Sequence, residues 1–298
     1  MNAAKPLKLR KSSEVKFSGS GALLVTLARD VVVWNVQSQT KRFRAHPFKH
    51  PSNCSIHPDD SQLVVKNTAG QIALLDVSDG RLVRMLNQDG ENEGSNIVHS
   101  ACGNYLVDGS WNGMLTVRSS QNGEVAFQQA FPGDMLTHIA RSRLGNKWYV
   151  LHWPKARADD QPPPPSFVTV WDWPLAAATD HLTMPVDHIY SIELSTDGSQ
   201  LCLLGTDSVD VMRLIDKQIM ASTTYEYGGT RFAAAWSPDG EEIVTVQKDG
   251  FVFRDVGSLK PVRRIDLPFA SDVAYSSDGR LIALGSWTGG MLVERQRT

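Results

Sequence analysis

The sequence predicts an all-β fold, a single seven-bladed β-propeller built of four-stranded antiparallel blades. Three observations carry this prediction. A short phrase recurs seven times, its copies are spaced by about one propeller blade, and each interval holds strand-like runs without a sustained helical period. The phrase is an apolar patch, then Ser or His, then a polar turn with Gly or Asp, and then a β-rich run.

The spacing of the phrase gives the blade length. Its seven copies end at Gly21, Asp60, Gly103, Gly145, Gly198, Gly240 and Gly279. The steps between these residues are 39, 43, 42, 53, 42 and 39. All but the 53-residue step fit the period of roughly 40–45 residues that a four-stranded blade needs. The long step contains a Pro-rich insertion, 154–166, and because Pro cannot donate to a strand ladder we expect a surface loop in blade 4.

Each repeat contains four runs of β-branched and aromatic residues, which we name strands a to d from the ring axis outward. In the sixth repeat the predicted strands are 232–236, 243–247, 251–256 and 262–267.

Strand d of the seventh repeat is missing from its expected place. That repeat stops after its strand c, 291–294, while the N-terminus carries a spare alternating stretch, 7–11. We expect residues 1–12 to supply the outer strand of the last blade, which closes the ring and removes two sheet edges. The whole chain, 1–298, then forms one propeller domain.

The chain resembles the WD-repeat family in its turns and in one dipeptide. Trp171-Asp172 matches the dipeptide of that family. Gly-Ser-Trp-Asn-Gly at 109–113 and Gly-Ser-Trp-Thr-Gly at 285–289 resemble its turn between strands b and c. The resemblance covers essentially the whole chain and implies the same propeller fold.

Several blades depart from the family pattern. Trp34-Asn35, Leu75-Asp76 and Arg254-Asp255 stand where Trp-Asp would be, and Ala45-His46 is the nearest remnant of the Gly-His that precedes strand a. The family's hydrogen-bond network of Asp, His, Ser and Trp is therefore expected to be incomplete in this chain.

The charge balance argues against a dedicated nucleic-acid binder. The formal net charge is −2 and the pI is about 6.4, whereas nucleic-acid-binding domains usually show a strong basic bias. The densest basic stretch is Lys5, Lys8, Arg10 and Lys11. It has two interpretations: an electrostatic arm, or the outward side chains of an edge strand that charge protects from aggregation.

Cysteine usage and hydropathy indicate an intracellular setting. Cys54, Cys102 and Cys202 lie in or beside apolar runs with no disulfide or zinc spacing, so we expect small buried residues. The first 30 residues lack the apolar core of a signal peptide, and no run approaches the ~20 apolar residues of a membrane helix. These observations predict a cytoplasmic protein with no membrane partner.

Catalytic motifs are missing from the sequence. It contains no nucleophile elbow on a strand-to-helix turn and no phosphate-binding loop. His46, His50 and His57 are close in sequence, but the prolines after the first two exclude a helix that would align them, and His57 belongs to the opposite face. His99 lies within one predicted strand a, and His138 begins another. We expect both to be hydrogen-bonded histidines near the channel.

We therefore predict a non-enzyme with no catalytic residue, metal or cofactor. The alternative is a hydrolase or lactonase with a central-funnel site, as in propellers with acidic or metal-bearing funnels. The sequence shows no ring of inward carboxylates to support that alternative. Its Asp residues at 59, 60, 197, 239 and 278 are expected to be turn residues, because Asp caps the backbone two residues on.

The predicted function is to bind one or more proteins or peptides, as a monomer or as part of a hetero-complex. The binding surface would be the top face, where the d–a and b–c connections gather. Trp, Tyr and Arg dominate interface hot spots. The candidate partner-binding residues in these connections are Trp111, Trp287, Trp153, Arg231, Tyr227, Phe48, His50 and Lys248.

Overall fold

A computed structural model describes residues 6–87, 93–142, 145, 147–155, 164–173, 177–184, 188–224, 226 and 231–296. Seven four-stranded antiparallel sheets are arranged in a ring, which confirms the seven-bladed β-propeller. The described residues contain no helix, and so none that is long and apolar enough to cross a membrane.

The strands of each blade are given from the axis outward. Blades 1 and 2 comprise β2 (Glu14–Phe17), β3 (Leu23–Leu27), β4 (Val31–Asn35) and β5 (Thr40–Ala45), then β6 (Pro51–Ile56), β7 (Gln62–Asn67), β8 (Ile72–Asp76) and β9 (Leu82–Asn87). Blades 3 and 4 comprise β10 (Val98–His99), β11 (Tyr105–Gly109), β12 (Met114–Ser119) and β13 (Val125–Ala130), then β14 (Asp134–Arg141), β15 (Lys147–Pro154), β16 (Phe167–Asp172) and β17 (Ala177–Thr183).

The remaining three blades follow the same order. Blades 5 and 6 comprise β18 (Ser191–Leu194), β19 (Gln200–Leu204), β20 (Ser208–Arg213) and β21 (Gln218–Thr224), then β22 (Ala234–Trp236), β23 (Glu242–Gln247), β24 (Gly250–Asp255) and β25 (Pro261–Asp266). Blade 7 comprises β26 (Ala270–Tyr275), β27 (Leu281–Ser286), β28 (Met291–Glu294) and β1 (Leu7–Lys8).

The core lies between neighbouring blades. Strands b and c are largely buried on both faces, because each is covered by a blade on either side; β3 and β23 are buried along their whole length. Strand d has solvent on its outer side, so β21 alternates between exposed and half-buried residues. Hydrophobic burial between blades therefore holds the ring together.

The repeated phrase is explained by one turn. In blades 5, 6 and 7 the Ser hydroxyl donates to the Asp carboxylate two residues later, at 2.6–2.7 Å, and accepts the backbone N–H five residues on, at 2.9 Å. The Gly after the Asp has a φ of +69° to +75°, which L-residues with a side chain rarely adopt. The turn role expected for these carboxylates is confirmed at Asp197, Asp239 and Asp278.

The ring closes through the N-terminal segment. Leu7 pairs with Leu292 and Lys8 with Met291, as the missing outer strand predicted. The segment then leaves the sheet edge and crosses towards the axis, where the Ser12 N–H donates to the carbonyl of Ser286 at 2.8 Å. Only Leu7–Lys8 of the predicted 7–11 stretch is strand, because the residues after Lys8 cross the seam between blades 7 and 1. Most of the 154–166 insertion lies outside the described residues.

The three cysteines do not share one environment. Cys54 and Cys202 are buried, and burial raises the pKa of both thiols. Cys102 is exposed in the a–b turn of blade 3, so the prediction that it is buried is wrong. Its position in the polar turn of the repeated phrase, and not in the strand, accounts for the exposure.

Candidate functional site

The top face is built from paired connections that are hydrogen-bonded to each other. In three blades the N–H of a b–c turn residue donates to a carbonyl of the preceding d–a loop. Trp111 donates to Glu93 at 3.1 Å, Trp287 to Phe269 at 3.1 Å and Thr68 to His50 at 3.2 Å. Each bond fixes the backbone at the tip of the blade.

Two of the predicted tryptophans are exposed on these fixed turns. The exposed fraction is 38% for Trp111 and 47% for Trp287. They belong to blades 3 and 7, which stand on nearly opposite sides of a seven-bladed ring. Large exposed aromatic side chains on a rigid backbone are the kind of anchor that protein interfaces use.

Phe269 is a further exposed aromatic residue that sequence reasoning missed. Its side chain is 56% exposed and its φ is +55°, a conformation that is uncommon for a bulky residue. The carbonyl of Phe269 accepts the Trp287 N–H, so both aromatic residues sit at the top of blade 7. The Leu-Pro-Phe run at 267–269 is the sequence signal that marks this loop.

Trp153 lies in a different setting from the two exposed tryptophans. It is half-buried at the top of blade 4, where its ring meets Tyr190 edge-on with centroids 4.7 Å apart. Tyr190 in turn stacks on Phe232 at 4.3 Å. This aromatic row ties the tops of blades 4, 5 and 6 together. Tyr227 lies outside the described residues.

The other candidates occupy distinct places on the top face. Phe48 is half-buried and packs into the core between blades 1 and 2. His50 is exposed with a φ of +55°, next to Pro51. Lys248 is exposed in the b–c turn of blade 6, and its carbonyl accepts a hydrogen bond from Arg264 at 3.1 Å. The structure does not bring these three together with Trp111 or Trp287 in one contact cluster.

Arg231 reaches across the ring axis. From blade 6 its guanidinium donates to the Glu14 carboxylate of blade 1 at 2.9 Å and to the Asn53 side chain of blade 2 at 2.9 Å. Glu14 is buried and also accepts the Cys54 N–H at 3.1 Å. These bonds bridge three blades at the top of the channel, so Arg231 has a structural task besides any contact with a partner.

Below this bridge a central channel of about 520 Å³ is lined by the innermost strands of all seven blades. Its lining includes Gly19, Pro58 and Ser277 of the a–b turns, so it reaches the bottom face. Lys16, Arg141, Glu193 and Asp272 also face it. Sequence reasoning did not place these charged groups in the channel, because their inward direction follows from ring geometry.

The channel carboxylates are held by the protein itself. Asp272 accepts the Val15 N–H at 2.9 Å, and burial raises its pKa to about 6. Glu193 lies 3.9 Å from His138 Nε2. Among the described residues no group of three His, Cys, Asp or Glu side chains is placed to hold a metal ion.

His138 and Ser191 form a close hydrogen-bonded pair. The Ser191 hydroxyl is 2.7 Å from His138 Nδ1, which also accepts the Ile192 N–H at 3.2 Å. Ser191 is buried, and His138 lines the channel. The pair connects blades 4 and 5, as expected for a hydrogen-bonded histidine.

Blade 4 contains a chain of buried polar groups around Trp171. The Trp171 indole donates to the Thr169 hydroxyl at 2.9 Å, and that hydroxyl is 2.8 Å from His152 Nε2. His152 Nδ1 lies 3.1 Å from the Asp134 carboxylate. Trp, Thr, His and Asp are thus joined in one blade, where the sequence predicted an incomplete network. Blade 1 has the shorter pair Trp34 and Thr26, 3.3 Å apart.

Buried histidines make stability depend on pH. His99 is fully buried, with Nδ1 3.0 Å from the Ser55 hydroxyl, and burial lowers its pKa to about 3. Below the ordinary His pKa of ~6.5 the unfolded chain binds a proton that the folded chain does not, so acid favours unfolding.

We expect His99→Gln to reduce the acid sensitivity of the fold. Between about pH 7.5 and 5.5, one such histidine contributes a loss of ~1.4 kcal/mol in the free energy of unfolding. Urea denaturation at both pH values measures this difference. Asp272→Asn is a control with the opposite sign. Because the Asp272 pKa is raised, this carboxyl makes the wild-type fold more stable in acid, and the variant should lose that contribution. Parallel pH profiles for wild type and His99→Gln would contradict the assignment.

Neither a protein-family model nor a curated protein matches this chain. The site is therefore interpreted from its own geometry.

Proposed function

We propose that this propeller is a WD-repeat-type platform that binds a protein partner through its top face and carries out no chemistry of its own. The observation that carries the proposal is the exposure of Trp111, Trp287 and Phe269 on turns whose backbone is fixed by hydrogen bonds. An exposed aromatic side chain on a rigid support binds with little loss of conformational entropy.

The size of the partner follows from the positions of the two tryptophans. Trp111 and Trp287 stand on blades 3 and 7, almost opposite each other across the ring. A ligand that touches both must extend over most of the top face, which fits a protein and not a small molecule. The Trp171 chain of blade 4 and the Ser-Asp-Gly turns support the WD-repeat type.

We expect Trp111→Ala and Trp287→Ala to weaken partner binding without unfolding the protein. Truncating a central interface Trp typically costs ~2 kcal/mol or more, which is about 30-fold in affinity. Exposed positions away from the core change the free energy of unfolding by roughly 0.5 kcal/mol or less. Affinity capture from native lysate with the wild type identifies the partner, and calorimetric titration of that partner compares the variants.

Ile215→Ala provides a matched control. Ile215 is 90% exposed in the c–d turn of blade 5 on the bottom face. Its truncation therefore removes exposed apolar surface away from the proposed site. The expected result is wild-type binding. Equal binding by all three variants, or capture of no protein at all, would overturn the proposal.

A further inference from the structure

A basic groove lies where the ring closes, between blades 7 and 1. It has a volume of about 490 Å³. One wall is the N-terminal segment that crosses the seam, with Arg10 and Lys11. The other side is blade 1, which contributes Arg29 from its b–c turn and Lys41 and Arg44 from its outer strand β5. We call this feature the seam groove.

The seam groove concentrates positive charge in a chain whose net charge is −2. Its five cationic side chains face one carboxylate, Asp30, which already pairs with Arg44 and lies 2.8 Å from His46 Nδ1. Arg10, Lys11, Arg29 and Lys41 are all exposed, and no acidic side chain in the described part of the chain forms an ion pair with them. The groove therefore has cations available for an outside ligand.

Protection of a sheet edge explains only part of these charges. Lys8 lies in the edge strand β1 and Lys41 in the edge strand β5, so both fit that role, whereas Arg10, Lys11 and Arg29 lie outside the strands. Arg10 and Lys11 come after the strand, where the Arg10 carbonyl accepts the Gly290 N–H at 3.2 Å. Their side chains line the groove, and the fold places Arg29 and Lys41 on the other side of it.

The groove has an apolar floor as well as charged walls. Trp34 is buried at its base, with its indole N–H donated to Thr26 at 3.3 Å, and Val32 lies beside it. The Lys41 ammonium is 5.8 Å from the centroid of the Trp34 ring. A floor of this kind favours a ligand with carbon atoms between its charges, because apolar contact adds to the ionic attraction.

The spacing of the cations favours an extended ligand over a single small anion. Arg29 stands just before β4, and Lys41 pairs with Trp34, three residues after the first residue of β4, so their backbone positions are roughly 10 Å or more apart along the strand. In an extended peptide, side chains at alternate residues point to the same side at intervals of about 7 Å. Several carboxylates on one peptide can therefore pair with cations along the groove, whereas a single phosphate reaches the cations at only one end of it.

We propose that the seam groove binds an acidic peptide segment of a partner protein, with its carboxylates paired to Arg10, Lys11, Arg29 and Lys41. The groove is continuous with the exposed aromatic pair of blade 7, because Thr288, which lines it, follows Trp287. This inference deepens the proposed function, since it names the chemistry of the partner.

The test uses the full chain and a fluorescent peptide of about twelve residues with alternating Glu and Ser, long enough to exceed the groove. Anisotropy titrations at about 50 mM and 200 mM salt measure its affinity, which screening should reduce at the higher salt. A peptide with Gln in place of Glu should not bind. The Lys11→Gln/Arg29→Gln variant should bind the acidic peptide about 2- to 30-fold more weakly, on the usual size of two exposed ion pairs.

The control variant removes the same charge elsewhere. Lys147 and Lys260 are exposed on blades 4 and 6, away from the groove, and Lys147→Gln/Lys260→Gln should bind like the wild type. Equal weakening in both double variants would show attraction to general charge and overturn the proposal. So would the absence of binding, or tighter binding of a single-stranded oligonucleotide of equal charge.

The peptide titration and the lysate capture distinguish failure of the groove proposal from failure of the proposed function. Peptide binding in the groove without capture of any partner contradicts the proposed function and leaves the groove as a site for acidic peptides. Capture that depends on Trp111 and Trp287, together with no binding of the acidic peptide, contradicts the groove alone. Melting temperatures of both double variants, expected to equal that of the wild type, confirm that binding is measured on folded protein.

Discussion

Removal of residues 1–11 is expected to destabilise the whole propeller and not one blade. These residues supply β1, whose two residues pair with β28, and Leu9, whose N–H donates to the Gly290 carbonyl at 2.9 Å. Leu9 is 3% exposed and lies in the core between blades 7 and 1 with Trp34 and Leu292. Without the segment, blade 7 has three strands and the seam between the first and last blades loses its cover.

The loss can be sized from its parts. Burying a Leu side chain contributes about 1.5–3 kcal/mol, and Leu7 and Leu9 both pack into the seam. The backbone pairing to β28 adds hydrogen bonds of roughly 1 kcal/mol each. A total above about 4 kcal/mol is a large part of the 5–15 kcal/mol that stabilises a typical domain. Urea unfolding followed by circular dichroism and by Trp fluorescence should therefore shift together, to lower denaturant.

Two variants separate ring closure from shortening of the chain. A protein that begins at Pro6 keeps β1 and Leu9 and should unfold like the parent. Leu9→Ala keeps the backbone pairing but leaves a cavity, which typically costs 2–5 kcal/mol for a buried Leu. A protein without residues 1–11 that unfolds at the parental midpoint would rule out the closing role of this segment.

Substitution of Lys66 by Met is expected to cost about 3 kcal/mol or more. Lys66 stands near the end of β7 and is 1% exposed. Its ammonium donates to the carbonyls of Ser95, at 3.1 Å, and Gly109, at 3.0 Å, and to the Asp108 carboxylate. The three donors of the ammonium thus have three acceptors, all on blade 3. Met fills the same space but donates no hydrogen bond, so the Ser95 carbonyl and the Asp108 carboxylate lose this donor, while the Gly109 carbonyl keeps the Ser95 N–H at 3.0 Å.

The effect is large because removing one partner of a buried ion pair leaves the other partner unpaired. Breaking one partner of a buried ion pair typically costs 3–5 kcal/mol, because the remaining charge stays desolvated. Asp108→Asn should also be destabilising, because it leaves the buried Lys66 ammonium without its counterion, although an amide oxygen and the two carbonyls still accept its hydrogen bonds. The double variant should be more stable than the sum of the two single effects predicts. The difference between the two values is the coupling energy of Lys66 and Asp108.

Lys147→Met is the matched control for Lys66→Met. Lys147 is the first residue of β15 and is exposed, so the same substitution there should change the free energy of unfolding by roughly 0.5 kcal/mol or less. Urea denaturation of the wild type and the four variants gives all values. A Lys66→Met variant as stable as the Lys147→Met variant would show that the buried ammonium does not hold blades 2 and 3 together.

Much of the fold could be predicted because its signals are local. The Ser-Asp-Gly turns of blades 5 to 7 are made by residues within five positions of each other. Strand β28 begins and ends at the predicted residues, 291 and 294, since an apolar run between turn residues leaves few alternatives. The closing strand could also be predicted, because a four-stranded repeat that lacks its last strand requires one from elsewhere.

The exposure of two candidate residues is explained by the same local signals. Trp111 and Trp287 stand in short b–c turns, where a large side chain has little room to turn inward, and the structure exposes both. Trp153 near the end of β15 and Phe48 in a d–a loop were also candidates but are half-buried, because neighbouring blades offer Tyr190 to the first and an apolar seam to the second. Whether an aromatic residue in a loop is covered depends on residues from another blade.

By itself, the sequence determined the number of blades, the order of strands within each and the identity of the strand that closes the ring. Those features depend on turn chemistry and on hydrophobic runs, which act over a few residues. The tertiary structure alone decided that Arg231 bridges three blades, that Lys66 is buried and that Arg10, Lys11, Arg29 and Lys41 share one groove. Lys66 meets acceptors that are 29, 42 and 43 residues away, and a charge can be buried or gathered only where the ring brings such distant groups together.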